Sequence, residues 1–261
     1  MKGRYVDKTR KIYNNAELAE KCMREMFAEF SIAKDLVHPN IVEYKYFMRD
    51  WDAISQNHEF HIIMEMMEGE DMEVYLKEQG RPFMIDRVRE IGGQLISGIR
   101  YLHMRKIIHQ DLKPSNILFS GDYEKIKLID LGVSSRLDKT KATKQAGGTP
   151  RYMPPEQLDN KLTFKVDIWA FGCVLLQFCS GLRPYSGIEN DLSLCMQIYQ
   201  GLSPLDYALK NNAIDMDLVT ENKDFHRILK MCLEIDYKKR PTAEKLFNDP
   251  FFEPYVTEWI N

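Results

Sequence analysis

Apolar positions change their spacing several times along the first seventy residues, and each change marks an element. Residues 1–6 alternate as a short strand does, and the Lys- and Asn-rich stretch after them reads as a loop. Asn14, with Glu17 three residues on, is a capping pair that predicts a helix running to about Leu36. Cys22, Met26, Ala33 and Leu36 recur there at helical spacing, and Glu29 falls inside the same stripe. A carboxylate in an apolar stripe is costly unless it is paired. His38-Pro39-Asn40 ends the helix, and strands are expected at Ile41–Phe47 and His61–Met66 with a polar loop around Asp50–His58 between them.

Glu68-Gly69-Glu70 punctuates a change from strand-rich to helix-rich sequence. Helical patterns follow at roughly 71–78 and 85–104, then a hairpin in which Ile117-Leu118-Phe119 and Ile126–Ile129 flank a Gly121-Asp122 turn. Val166–Cys179 is apolar nearly all round, so a helix there is expected to be buried on every side. Amphipathic helices close the pattern near 224–233 and 242–248. This order predicts an α+β fold with two lobes, a small β-rich one joined by a hinge to a larger, mainly helical one.

Composition narrows the function classes. With 261 residues, 44% apolar and 29% charged, the chain can bury the core of one large domain or two closely packed lobes. A net charge of -3 leaves no basic surplus for neutralising phosphates, which argues against a nucleic-acid partner. Five scattered Cys with no C-x-x-C pair read as buried thiols in a reducing compartment. Met1-Lys2-Gly3-Arg4-Tyr5 lacks the apolar centre of a signal peptide, and the run Ile168–Phe178 is too short to span a bilayer. No membrane partner is expected, and the reading is a cytoplasmic or nuclear protein.

The candidate chemistry lies in His109-Gln110-Asp111-Leu112-Lys113-Pro114-Ser115-Asn116 and, behind the hairpin, Asp130-Leu131-Gly132. Asp, Pro, Ser and Asn all favour turns, so the first stretch alone could be a simple turn. In order, the two stretches resemble the catalytic loop H-R-D-x-x-x-x-N and metal-binding D-F-G of the eukaryotic protein kinases. Further matches follow in sequence. Gly148-Thr149-Pro150 through Pro154-Pro155-Glu156 resembles the end of a kinase activation segment, Asp167-Ile168-Trp169 through Gly172 the start of a buried helix, and Lys239-Arg240-Pro241-Thr242 the late Arg that pairs with the segment's Glu.

What the resemblance implies is a serine/threonine protein kinase using ATP and Mg²⁺ on a protein substrate. Asp111 would receive or orient the substrate hydroxyl, Lys113 would sit beside the migrating phosphoryl group, and Thr149 would bridge the two. Asn116 and Asp130 would hold the metal, whose preference for few protein oxygens plus water and phosphate suits that pair. Residues 1–67 would be a partial small lobe, from the family's third strand through its glutamate-bearing helix and fourth and fifth strands to the hinge; residues 68–261 would be the helical lobe. Glu29 would be the helix glutamate and Lys2 its strand lysine. The backbone of Glu65 and Met67 would read the adenine edge, Met64 would stand as gatekeeper, Asp71 would lie near the ribose, and Leu118 would belong to the same nucleotide site.

Three departures change the expectation. Gln110 stands where Arg is usual, and a neutral amide cannot make the charge-assisted pair with an activation-segment phosphate. Dependence on such a phosphate is therefore expected to be weak. Leu131 replaces Phe and keeps an apolar packing group. As given, the chain also holds no glycine-rich phosphate loop, so a truncated small lobe with one bared sheet edge is expected. Weakened nucleotide positioning would follow, and with it a second reading as a non-catalytic, kinase-like interaction module.

Overall fold

The computed structural model describes residues 4–52, 54, 57–138, 141–142, 147–214 and 221–253. Its small lobe is an antiparallel sheet of β1 (Tyr5–Ile12), β2 (Tyr44–Asp52) and β3 (Asn57–Glu65) in the order β1-β3-β2, covered by helix α1 (Ala16–Ala33). The larger body is helical, with α2 (Met72–Gln79), α3 (Ile85–Met104), α4 (Pro155–Leu158), α5 (Lys165–Ser180), α6 (Asp191–Tyr199), α7 (Pro204–Lys210), α8 (Lys223–Cys232) and α9 (Ala243–Phe247). Short strands β4 (Ile107–Ile108), β5 (Ile117–Phe119), β6 (Ile126–Leu128) and β7 (Ser135–Asp138) run along the face where the two meet. This is the two-lobed arrangement of strand and helix that the residue order predicts.

The small lobe departs from the expected element bounds in ways that have causes. The stretch read as a Lys- and Asn-rich loop is most of β1, paired residue by residue with β3 from Tyr5↔Glu65 to Ile12↔His58. Polar cross-strand contacts stand in for an apolar face: Lys11 pairs with Glu59 at 2.9 Å, and His61 meets Asp7 at 2.9 Å. The β2–β3 hairpin also reaches into the expected polar loop, because Trp51 lies directly opposite His58 with ring centroids 4.1 Å apart. Asn15, one residue later than expected, caps α1 by accepting the Leu18 N–H at 2.9 Å. Cys22, Met26, Glu29 and Ala33 are buried along one face, as the stripe requires.

The helical body forms around α5, whose residues from Val166 to Cys179 are all buried. Gly172 matters there, since a Cβ would stand 2.8 Å from Cys232 Cβ and 2.9 Å from Leu233. Only a glycine lets α5 and α8 approach so closely.

At the junction of α1 and β2, His38 Nδ1 accepts the Asn40 N–H at 3.1 Å and the ring lies 4.7 Å from that of Tyr101. Burial first, then Lys127, Arg105 and Arg100, push its pKa from 6.5 down to about 4. The unfolded chain therefore binds more protons between those values, so this contribution is full above about pH 6.5 and shrinks as pH falls toward 4. Since the ring is only partly buried, the expected loss by pH 5 is on the order of 1 kcal/mol. Urea midpoints at pH 7.5 and 5 should differ less in His38→Gln than in the native chain.

Candidate active site

The catalytic-loop geometry begins with a buried carboxylate. Asp167, at the start of α5, accepts the backbone N–H of His109 through Oδ2 and of Gln110 through Oδ1, both at 2.9 Å, and meets His103 Nε2 at 2.8 Å. These bonds hold Gln110 at φ +72°, a left-handed conformation that an unsupported glutamine would not keep. The chain then turns so that Asp111 faces a cluster. Thr149 Oγ1 donates to Asp111 Oδ1 at 2.7 Å, and Lys113 Nζ reaches both Thr149 Oγ1 and Asp111 Oδ2 at 2.8 Å. Asn116 Nδ2 donates to the Asp111 carbonyl at 2.8 Å and to Asp111 Oδ2 at 3.2 Å. Asp111, Lys113, Asn116 and Thr149 thus stand together.

Asp130 joins this group through the hairpin. Ile129 N–H donates to the Asn116 carbonyl at 3.0 Å, which sets the Asp130-Leu131-Gly132 turn beside the loop that holds Asp111 and Asn116. Asp130 has φ +59°, and its Oδ1 accepts from Lys8 Nζ and from the Gly132 N–H, each at 3.1 Å. Burial alone would raise the Asp130 pKa, but Lys8 and the Gly132 N–H hold it below the ordinary carboxylate value. Lys8 also contacts both oxygens of buried Glu29 at 2.9 Å. Burial works against the Lys8 charge, yet Glu29 and then Asp130 keep its pKa above the ordinary lysine value.

Here the expected assignment of Lys2 is corrected. Lys2 lies outside the described residues, and the amine that meets Glu29 is Lys8 of β1. The error follows from reading β1 as a loop, which removed Lys8 from consideration as a strand residue. Glu29 has a second partner that sequence reasoning did not name. The hydroxyl of buried Tyr44 donates to Glu29 Oε1 at 2.9 Å and accepts the Leu131 N–H at 3.4 Å. Burial, then the neighbouring Glu29 charge, push the Tyr44 pKa well up, so the group stays a protonated donor.

A cavity of about 230 Å³ opens between β1 and the hairpin, with Val6, Val42, Met64, Leu118 and Ile129 as apolar walls and Lys8 and Asp130 at one end. Glu65 and Met67 also line it. The Glu65 N–H donates to the Glu43 carbonyl at 2.9 Å, and its carboxylate accepts from Lys127 at 2.6 Å and from the Glu43 N–H at 2.7 Å. Asp71 does not line this cavity; its carboxylate caps α2 by accepting the Val74 N–H at 3.0 Å. A second space of about 460 Å³ shares Lys8 and Asp130 and continues past Glu29 to Gly132 and Gly147. The two spaces share Lys8 and Asp130, so an apolar slot has a charged end.

Among the described residues, no group of three or more His, Cys, Asp or Glu side chains is arranged to hold a metal by itself. Asp130 lines the cavity with its carboxylate, and Asn116, whose carbonyl accepts the Ile129 N–H next to Asp130, offers one amide oxygen. Two hard oxygens fit Mg²⁺, which takes the rest of its shell from water and phosphate. Among the described residues, no helix is long and apolar enough to cross a membrane.

A small sheet-rich lobe over a helical one, with the Asp111–Lys113–Thr149 cluster bonded beside the turn that carries Asp130, is the arrangement of a protein kinase catalytic domain. The chain matches the protein kinase domain family over residues 5–252 and belongs to it. It is 32% identical over 241 residues to mitogen-activated protein kinase kinase kinase 1b of Physcomitrium patens, covering 91% of this chain and 29% of that protein. To MAP kinase kinase kinase mkh1 of Schizosaccharomyces pombe it is 32% identical over 245 residues, covering 91% of this chain and 20% of that protein. To serine/threonine-protein kinase WNK of Caenorhabditis elegans it is 29% identical over 237 residues, 90% of this chain and 12% of that protein. The chain therefore spans less than a third of the length of these relatives.

Proposed function

We propose that the chain transfers the γ-phosphoryl group of ATP to serine or threonine hydroxyls of proteins. The observation that carries this reading is a pair of charged clusters, Asp111, Lys113 and Thr149 in one and Lys8, Glu29 and Asp130 in the other, tied together where the Ile129 N–H donates to the Asn116 carbonyl. Phosphoryl transfer needs positioning and charge neutralisation more than covalent help, and this set supplies both. Asp111 accepts or orients the proton of the attacking hydroxyl, held in place by Thr149. Lys113 stands beside the same carboxylate and neutralises charge on the migrating group. Lys8, fixed by Glu29, reaches the nucleotide's phosphates. Asn116 and Asp130 would hold Mg²⁺, which would supply positive charge to offset that of the phosphates. Glu65 and Met67 offer backbone groups to the base, and Leu118 packs against it. Asp71 caps the start of α2, and its carboxylate would have a second use toward a ribose hydroxyl.

The serine/threonine class is favoured by Lys113 and Thr149, which bridge the catalytic carboxylate together, and by the names of the relatives. The test is γ-phosphate transfer to a generic protein substrate with Mg²⁺, comparing the native chain with Asp111→Asn. Equal signal from both would overturn the proposal and leave the kinase-like interaction module in its place. A second comparison separates the two lysines. Lys8→Met is expected to lower kcat/KM about a hundredfold, the scale of one lost charge-stabilising donor, whereas Lys2→Met changes it less than twofold. The reverse order would reinstate Lys2.

A further inference from the structure

Two neutral amides stand where the catalytic loop meets the far end of the activation segment. Buried Gln110 donates through Nε2 to the Val133 carbonyl at 2.9 Å and to Ser135 Oγ at 2.7 Å, and its Oε1 accepts the Gly147 N–H at 3.4 Å. Gln157, buried in α4, donates through Nε2 to the Gln110 carbonyl at 3.1 Å and to the Gly147 carbonyl at 2.6 Å. Gly147 is thus gripped by both its N–H and its C=O, two residues before the Thr149 hydroxyl that donates to Asp111. Gly148 fits the same close approach: its φ is +126°, and a Cβ there would lie 2.5 Å from the Gln110 carbonyl. None of these bonds has a charged partner, and both amides use their nitrogen on two acceptors.

We propose that Gln110 and Gln157 form an amide latch that seats the end of the activation segment on the catalytic loop without any phosphate. Within the kinase reading, which this inference rests on, Gln157 is a positioning residue. It acts through Gly147 and the Gln110 carbonyl on the Thr149–Asp111 contact, and so on the protein substrate rather than on the nucleotide. Gln110 faces both ends of the segment, at Val133 and at Gly147, and Gln157 closes the second end from below. A phosphate and an arginine would supply the same connection through charge. Here the connection consists of hydrogen bonds made by buried neutral groups, which lose most when one partner is removed and the other is left unsatisfied.

The experiment uses phosphatase-treated protein and three forms: native, Gln157→Met and Gln157→Glu. Met keeps the length and removes the donors; Glu keeps the shape and turns acceptors toward two carbonyls. Hydrogen exchange in the peptide covering Gly147 to Thr149 should quicken about tenfold or more in both variants, with the thermal midpoint of Gln157→Met close to the native value. The kcat/KM for a protein substrate should fall about tenfold, the change expected from one or two lost neutral hydrogen bonds, while KM for ATP moves less than twofold. If Gln157→Glu does not fold, Gln157→Met alone carries the comparison. The latch is refuted if the variants exchange like the native protein, or if the native peptide becomes protected only after phosphorylation. A native protein without phosphate transfer, but with the exchange difference intact, would defeat the kinase reading and leave the latch standing.

Discussion

Replacing Asp111 with Asn is expected to lower γ-phosphate transfer by about a thousandfold, the middle of the range for a positioned proton acceptor. The substitution keeps the side chain's size, and an amide oxygen can still accept the Thr149 Oγ1 proton now given to Asp111 Oδ1 at 2.7 Å. What it removes is the negative charge that Lys113 Nζ meets at 2.8 Å and that a substrate hydroxyl would face. The loss should therefore fall on kcat, with KM for ATP within about threefold of native, because the cavity proposed for the nucleotide is lined by other residues. Thermal stability should change little, since Asp111 is only partly buried and lies outside the core. Initial rates at saturating ATP and protein substrate measure this. A fall of less than tenfold would place proton acceptance on another group.

The chemistry was more legible in the sequence than the strand that completes it. Asp111, Lys113 and Asn116 sit within six residues of one another, so their proximity is local. Glu29 was visible for a different reason: a carboxylate inside an apolar helical stripe needs a partner, whatever that partner is. Lys8 was not visible, because β1 is exposed along most of its length and its centre, Asp7 to Lys11, is polar throughout instead of alternating apolar and polar residues. Strand character there comes from pairing with β3, a tertiary effect that a local pattern does not contain. Asp71 shows the opposite limit, since its motif position says nothing of its use as a helix cap. Asp167 and Gln157 act over 57 and 47 residues of sequence on the same Gln110, and only the folded chain brings them to it. A buried Asp opening an otherwise apolar helix was the available signal for the first; for the second, the sequence offers none.

Removing Glu156 is expected to cost about 3–5 kcal/mol of stability, as for other buried ion pairs broken from one side. The Arg240 side chain is fully buried, and its guanidinium makes two parallel bonds to the Glu156 carboxylate, at 2.5 Å and 2.9 Å. Its remaining donors reach the carbonyls of Glu234 at 2.7 Å, Lys165 at 3.1 Å and Ile235 at 3.2 Å, and its face lies 4.8 Å from the Trp169 ring. No water-facing route is open to the charge, so Glu156→Ala leaves a cation in the core that cannot lose its proton. A second cation compounds this: the Lys165 amine donates to the Arg240 carbonyl, and burial followed by Arg240 already pushes the Lys165 pKa down. The thermal midpoint should drop on the order of 10 °C for a chain of this size. The double variant Glu156→Leu, Arg240→Met should recover part of the loss, because an apolar pair leaves no orphaned charge. Urea unfolding of the native chain, the single variant and the double variant decides it. A single variant within about 1 kcal/mol of native would show that Arg240 finds another anion or solvent once Glu156 is gone. Because Glu156 precedes Gln157 in the same short helix, the single variant should also loosen the grip on Gly147, and the native-like core of Gln157→Met should not share its loss of stability.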